Sequence, residues 1–130
     1  MIEQIGGVFL YSNSPKALAE WYQKAFQLEY QFEMEDSLFG LSLFYTDEQQ
    51  QKRYVVFSIA KAKEPLSESR EKTFTLNLRV KDMDAQLAHL KQAGVDYRGP
   101  EIHEEGKFAW IQDPDGNYLE MWEDPGQQAN

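Results

Sequence analysis

Apolar and polar residues alternate at the start of the chain and then change to helical spacing. Residues 7–12 alternate in the manner of a strand. Ser14 followed by Pro15 is typical of a helix N-cap and a first helical position. Apolar residues then recur every three or four positions, which predicts a helix over 15–26. Three strand-like runs follow this helix, at 29–34, 38–45 and 54–60.

The second half of the chain repeats this order. A strand-like run at 74–80 leads to Asp82, an acidic helix cap, and apolar residues at helical spacing continue until Gly94. Strand-like runs follow at 95–97, 101–105, 107–112 and 118–123, with a turn at 113–117 before the last of them. Ser14 and Asp82 lie about 68 positions apart, which indicates two copies of strand, helix, strand, strand, strand. Because each copy alone would leave one face of its small sheet exposed, we expect the copies to pair.

The composition narrows the classes of protein that the chain can belong to. One domain accounts for 130 residues, and the absence of cysteine excludes disulfides, thiolate metal sites and a cysteine nucleophile. A net charge of −9 without a basic stripe argues against nucleic acid as a partner. The first residues include an acid where a secretion signal has basic residues, and no apolar run approaches membrane-spanning length. We therefore expect a cytoplasmic protein with no membrane partner.

Four segments carry a family resemblance. The run 106–123, GKFAWIQDPDGNYLEMWE, resembles the most recognisable signature of the vicinal oxygen chelate superfamily, the group of glyoxalases, bleomycin-resistance proteins and extradiol dioxygenases. Residues 7–12 with 17–22 resemble the family's first strand and helix, and residues 78–85 resemble the start of its second module. The resemblance covers nearly the whole chain. It implies an α+β fold in which two βαβββ modules pair their sheets around a concave cavity.

The resemblance also implies how the chain is organised. A single domain spans 1–130, with a first module at about 1–60, a connector at 61–72, a second module at about 73–124 and a C-terminal tail at 125–130. Two modules can pair within one chain or across two chains with the same local geometry. A homodimer is therefore a further expectation, and the sequence leaves the mode of pairing open.

Metal-dependent members of the family hold their ion with side chains at four inward-pointing positions. In this sequence one of the four corresponding positions has a side chain that commonly binds metals. The first-strand position corresponds to Gly7, and the equivalent position in the second module corresponds to Thr75 or, with a shift of register, to Asn77. The last strand of the first module, 54–59, contains neither an acid nor a histidine. Glu120, in the last strand of the chain, is the one match. Since catalytic metal sites normally need three protein ligands, we expect no bound metal and no cofactor.

Alternation along the predicted strands groups the candidate ligand-binding side chains on inward faces. The candidate ligand-binding residues are Phe9, Tyr11, Thr75, Asn77, Arg79, Trp122 and His103. His103 would act as an acid or base at the cavity mouth, or else be a solvated strand-edge residue. A carboxylate at an inward strand position is costly to bury without a partner or a purpose, so Glu120 is the candidate catalytic residue. Core packing is the alternative for the aromatic residues: it stays open for Phe9 and Trp122 and is favoured for Trp110.

Three functions fit these observations. The first is a metal-free binding protein of the bleomycin-resistance type, in which aromatic side chains hold a planar or cationic small molecule and acidic residues match its charge. The second is an enzyme, a glyoxalase-like lyase or isomerase or a dioxygenase relative, with Glu120 as general base or as the sole recognisable metal ligand. The third is a protein-interaction module with a vestigial cavity. We favour the first, because the family's metal ligands are missing and the chain is acidic.

Overall fold

The computed structural model describes residues 1–67 and 71–126, which form two compact units. Residues 1–23 and 28–67 belong to the first unit, and residues 24–27 and 71–126 belong to the second. The first half of the chain forms one four-stranded sheet and one helix: β1 (Gly7–Ser12), α1 (Pro15–Phe26), β2 (Phe32–Met34), β3 (Leu38–Thr46) and β4 (Lys52–Lys61). The strand order is β1-β4-β3-β2, with β1 parallel to β4 and the other neighbours antiparallel.

The second half of the chain has the same topology. Its elements are β5 (Thr75–Arg79), α2 (Met83–Gln92), β6 (Arg98–His103), β7 (Gly106–Gln112) and β8 (Tyr118–Glu123). The strand order is β5-β8-β7-β6, and β5 runs parallel to β8 while the other pairs are antiparallel. The prediction of an α+β fold with two βαβββ modules is therefore confirmed.

Each helix covers one face of its sheet, and alternate strand residues pack beneath it. In the first unit Leu18 and Tyr22 of α1 are almost fully buried, and the Tyr22 ring lies 5.3 Å from the ring of Phe57 on β4. In the second unit the buried residues are Met83, Leu87 and Leu90 of α2 and Ala109, Ile111, Leu119 and Met121 of the sheet. The other face of each sheet carries the side chains that lie between these core positions.

Hydrogen bonds at the end of α2 explain the largest departure from the sequence prediction. The prediction of a strand at 95–97 was wrong. The amide of Val95 instead donates to the carbonyl of Leu90 at 2.9 Å and closes the helix. Gly94 makes this closure possible with its positive φ of 75°. An amide used in a helix cap is not free to join a sheet ladder. The strand predicted at 101–105 begins earlier and ends earlier, as β6.

The start of the connector is attached to the first unit by the side chain of Asn13. Its Nδ2 donates to the carbonyl of Leu66 at 2.7 Å, and its Oδ1 accepts from the Leu66 amide at 2.8 Å. The predicted connector, 61–72, overlaps the last residue of β4, Lys61. Its residues 68–70 lie outside the described part of the chain. Within the described ranges, no helix has the length and apolar character needed to cross a membrane.

Candidate functional site

The helix-free face of the second sheet, here called the second-sheet face, gathers polar and aromatic side chains in two cross-strand rows. Strand register defines the first row as Asn77 on β5, Glu120 on β8, Trp110 on β7 and Arg98 on β6. The second row contains Arg79, Trp122, Phe108 and Glu101 on the same strands. Residues directly opposite each other on neighbouring strands have adjacent side chains, so each row is a line of contacts.

Glu120 lies in the first row, between two neutral N–H donors. Asn77 Nδ2 donates to Glu120 Oε2 at 2.7 Å, and Trp110 Nε1 donates to Glu120 Oε1 at 3.0 Å. The carboxylate is half-buried, and no Lys, Arg or His nitrogen of the described residues lies within 4.0 Å of it. Its orientation is therefore held from both sides while its negative charge has no cationic partner in the described ranges. Each carboxylate oxygen keeps a further lone pair for another donor.

Two stacked aromatic rings form the centre of the second row. The rings of Phe108 and Trp122 are nearly parallel, at an interplanar angle of 3° and a centroid distance of 6.2 Å. Trp122 Nε1 donates to the carbonyl of Glu105 at 2.9 Å, which holds the indole in place. Gly106 lies against this ring, because a Cβ at this position would be 2.9 Å from Trp122 Nε1 and 2.2 Å from the carbonyl oxygen of Glu123. A side chain at position 106 would therefore displace the indole or the strand.

Charged groups border the aromatic rings. The Arg79 guanidinium lies 4.9 Å from the Trp122 ring and 3.6 Å from the Asp124 carboxylate. His103 Nε2 lies 3.5 Å from Glu101, and the His103 ring is 5.9 Å from the Phe108 ring. The Arg98 guanidinium lies 4.7 Å from the Trp110 ring. The second-sheet face thus combines flat aromatic surfaces with a few charged and hydrogen-bonding groups, which are residue types that line small-molecule sites.

The candidate residues from the sequence fall on both sheets. Asn77 and Glu120 are in direct contact, as are Arg79 and Trp122, and His103 and Thr75 lie on the outer strands of the second sheet. Phe9 and Tyr11 lie on the helix-free face of the first sheet, each with 57% of its surface exposed. The Phe9 ring covers Gly7, where a Cβ would be 2.9 Å from the ring. A side chain at position 7 would therefore need this ring to move.

Sequence reasoning missed Trp110, Phe108 and Arg98. The prediction that Trp110 packs in the core was wrong: it is half-buried on the second-sheet face, whereas its neighbours Ala109 and Ile111 are buried beneath α2. Strand alternation combined with the turn would have revealed this, since positions 110 and 120 are equally distant from the centre of the hairpin. Arg98 gave no local signal, because it precedes the strand that was predicted at 101–105.

The described residues do not fit the metal site of the family. No three His, Asp or Glu side chains in the described ranges come close enough together to hold a metal ion. Around Glu120 the neighbours across the strands are an amide and an indole, and both direct N–H groups at its carboxylate. An N–H group facing a carboxylate oxygen is a donor and not a metal ligand. Glu120 alone therefore provides too few ligands for a catalytic metal ion.

Two open depressions lie elsewhere, beside α1 in the first unit. One has a volume of about 480 Å³ and the other about 230 Å³, and both are lined by Lys16, Glu20 and Asp36. Tyr30 borders the smaller one and donates from its hydroxyl to the carbonyl of Ala19 at 2.8 Å. Burial raises the pKa of the Tyr30 hydroxyl well above its ordinary value, with Glu33 adding to the effect. Neither depression includes a candidate residue from the sequence analysis.

The repeated topology defines the class of protein, and comparison with known proteins gives the family. Residues 4–121 match the family described as Glyoxalase/Bleomycin resistance protein/Dioxygenase superfamily. Because this match covers most of the 130 residues, the chain belongs to that superfamily. The resemblance seen in the sequence is thereby confirmed.

Solved structures with the same fold are distant in sequence. A possible glyoxalase from Bacillus cereus is 18% identical, with 93% of this chain and 99% of that chain covered and a TM-score of 0.63. A lactoylglutathione lyase from Agrobacterium tumefaciens is 15% identical, with 94% of both chains covered and a TM-score of 0.65. TioX from Micromonospora sp. ML1 is 17% identical, with 94% and 99% covered and a TM-score of 0.64. The search of curated proteins returned no match.

Proposed function

We propose that this protein binds a small organic molecule on the second-sheet face, without a divalent metal. The ligand has a flat apolar body and a cationic or N–H-bearing end. The observation that carries the proposal is the Glu120 carboxylate, oriented by Asn77 and Trp110 and bordered by aromatic rings. A cytoplasmic homodimer remains part of the proposal, and the absence of cysteine gives no sign of an oxidising compartment.

The electrostatics of Glu120 support a cationic ligand group. Its two protein partners are neutral donors, so they orient the carboxylate without cancelling its charge. A half-buried carboxylate gains more from a partner of opposite charge than from neutral donors alone. A ligand cation would supply that partner, and the net charge of −9 would attract it towards the protein.

The aromatic side chains support a flat ligand body. Stacked or edge-on contacts between aromatic rings contribute about 0.5–1.5 kcal/mol beyond the area they bury. Trp110 and Trp122 are held by hydrogen bonds from their indole nitrogens, so their rings need little further ordering when a ligand binds. A cation near such rings gains a further contribution from the ring quadrupole. These contacts favour a planar cation over an aliphatic one.

Isothermal titration with N-methylquinolinium tests the charge requirement. We expect Glu120→Gln to weaken binding about fivefold, because N-methylquinolinium has no N–H group and its ion pair with a partly exposed carboxylate is worth about 1 kcal/mol. Glu29→Gln is the matched control, since it removes an equal charge from an exposed position in the first unit and should bind like the wild type. Equal affinity in the wild type and in Glu120→Gln would refute the proposal.

Native mass spectrometry tests the absence of a metal and the oligomeric state. The purified protein is measured alone and after exposure to zinc, nickel, manganese and ferrous ions. We expect twice the mass of the 15.2 kDa chain, without a stoichiometric metal. A metal bound at one ion per chain, and lost in Glu120→Gln, would show that Glu120 recruits ligands outside those described above.

A further inference from the structure

The first row of the second-sheet face has a positive charge on one outer strand and a negative charge two strands away. We propose that the ligand is amphoteric: its anionic group binds Arg98, its cationic group binds Glu120, and its flat body lies between them beside Trp110. This inference rests on the proposed function and adds the second charge, Arg98, as a determinant of specificity.

Register and contacts establish the geometry of this row. Arg98 on β6 pairs with Trp110 on β7, and Trp110 pairs with Glu120 on β8. The Trp110 indole contacts both charged residues, since its ring lies 4.7 Å from the Arg98 guanidinium and its Nε1 donates to Glu120 at 3.0 Å. Neighbouring strands are about 4.8 Å apart, so the two charged residues have backbones about 10 Å apart. A ligand that contacts both charged groups therefore has to span the strand that carries Trp110.

The two charges of the first row lack ionic partners among the described residues, whereas in the second row Arg79 has one and Glu101 has one when His103 is protonated. Arg79 pairs with Asp124 at 3.6 Å, and Glu101 lies 3.5 Å from His103. In the described part of the chain no carboxylate lies within 4.0 Å of the Arg98 guanidinium. Because Arg79 and Glu101 each have a neighbouring side chain that can pair with them, the first row is the one that offers both charges to a ligand.

The chemistry of the Arg98 side chain favours a carboxylate or a similar planar anion. A guanidinium that lies over an aromatic ring uses its flat face for that contact and keeps its N–H edge for acceptors. This edge matches the two oxygens of a carboxylate. The indole contact also limits the motion of the side chain, so less conformational freedom is lost on binding.

Three small probes separate the two charges in an isothermal titration near neutral pH and at low salt. 4-(Aminomethyl)benzoate carries both charges on one ring, benzylamine carries the cation alone, and benzoate carries the anion alone. We expect the amphoteric probe to bind the wild type about fivefold more tightly than benzylamine, which is the gain of one partly exposed charge pair. Benzoate should bind most weakly, since it faces Glu120 without a cation.

Substitution of Arg98 then assigns the gain to this residue. In Arg98→Gln the amphoteric probe should bind no better than benzylamine, while benzylamine itself keeps at least its wild-type affinity. Arg98→Lys should restore part of the difference, because it keeps the charge and loses the planar fork. Arg53→Gln is the matched control, since it removes an equal charge on β4, where Arg53 pairs with Asp47 at 3.0 Å.

Any other outcome refutes the binding of an amphoteric ligand. The proposed function can still be judged separately. If the amphoteric probe binds the wild type no more tightly than benzylamine, and Glu120→Gln weakens benzylamine binding, the role of Arg98 is refuted and the proposed function stands. An advantage that persists in Arg98→Gln also overturns the role of Arg98. If none of the three probes binds the wild type, the inference is wrong, and the N-methylquinolinium titration decides the proposed function on its own.

Discussion

Replacing Asp113 by alanine should weaken the hairpin that aligns β7 with β8. Asp113 is 4% exposed, and its Oδ1 accepts from the amides of Asp115 and Asn117, each at 2.9 Å. Its Oδ2 accepts from Asn117 Nδ2 at 2.7 Å. Asn117 is 7% exposed, so water cannot replace the missing acceptor unless the turn opens. Asp113→Ala therefore leaves two donors of Asn117 without an acceptor.

The cost follows from the number of donors left unsatisfied. A buried donor without a partner costs about 1–3 kcal/mol, so two such donors give a loss of about 3 kcal/mol in the free energy of unfolding. For a domain of this length, that loss corresponds to a fall in Tm of about 10 °C. It is a large share of the stability of an ordinary domain, which is about 5–15 kcal/mol.

Urea unfolding followed by circular dichroism measures this loss. Asp115→Ala is the matched control, because the Asp115 carboxylate has no hydrogen-bond or ionic partner among the described residues, and it should change the free energy of unfolding by less than about 0.5 kcal/mol. Asp113→Asn should fall between the two, since it keeps one acceptor and sets its own amide against that of Asn117. If Asp113→Ala and Asp115→Ala are equally stable, the reasoning about buried donors is refuted.

Two further predictions concern the first unit. Asn13→Ala removes both hydrogen bonds to Leu66, so we expect the free energy of unfolding to fall by about 1–2 kcal/mol and the Leu66 amide to exchange faster with solvent. An unchanged exchange rate would show that Asn13 does not anchor the connector. The hydrogen bond from the Gln51 amide, and then that from Arg53, lowers the pKa of Asp47 below its ordinary value of 3.8. The contribution of the Asp47 carboxylate to stability is therefore complete above pH 3.8 and is lost as the pH falls through the lower pKa of the folded state. An NMR titration of the Gln51 amide should give a midpoint below pH 3.8, and this midpoint should rise in Arg53→Gln. A midpoint at or above pH 3.8 would contradict the assignment.

Local signals predicted the elements whose ends depend on nearby residues. The helix expected at 15–26 and the strand expected at 118–123 are observed with those limits, as α1 and β8. The cap expected at Asp82 is also observed, since its side chain accepts from the amide of Ala85 at 3.1 Å. N-caps and turn residues act over three or four positions, so the sequence contains all that is needed to place them.

Strand limits were less accurate where tertiary pairing decides them. The strand expected at 29–34 begins only at Phe32, and its ring lies over Gly40 of the neighbouring strand. The strand expected at 54–60 extends to Lys52–Lys61, because β4 pairs with both β1 and β3 along its length. A strand continues as far as its neighbours offer hydrogen-bond partners, and those neighbours are distant in sequence.

The sequence by itself determined the repeated modules, the two helices and the tight turn, because periodicity, capping and turn chemistry act over short distances. It also indicated Glu120 as the residue with a carboxylate on an inward strand position. Only the tertiary structure decided what this carboxylate contacts. Asn77, 43 positions away, reaches it because β5 pairs in parallel with β8, and Arg98 joins the same row because β6 pairs with β7. The β5–β8 pairing depends on a crossover connection that no short stretch of sequence encodes, and the position of Arg98 depends on the register shift between Arg98 and Glu101 in the β6–β7 hairpin.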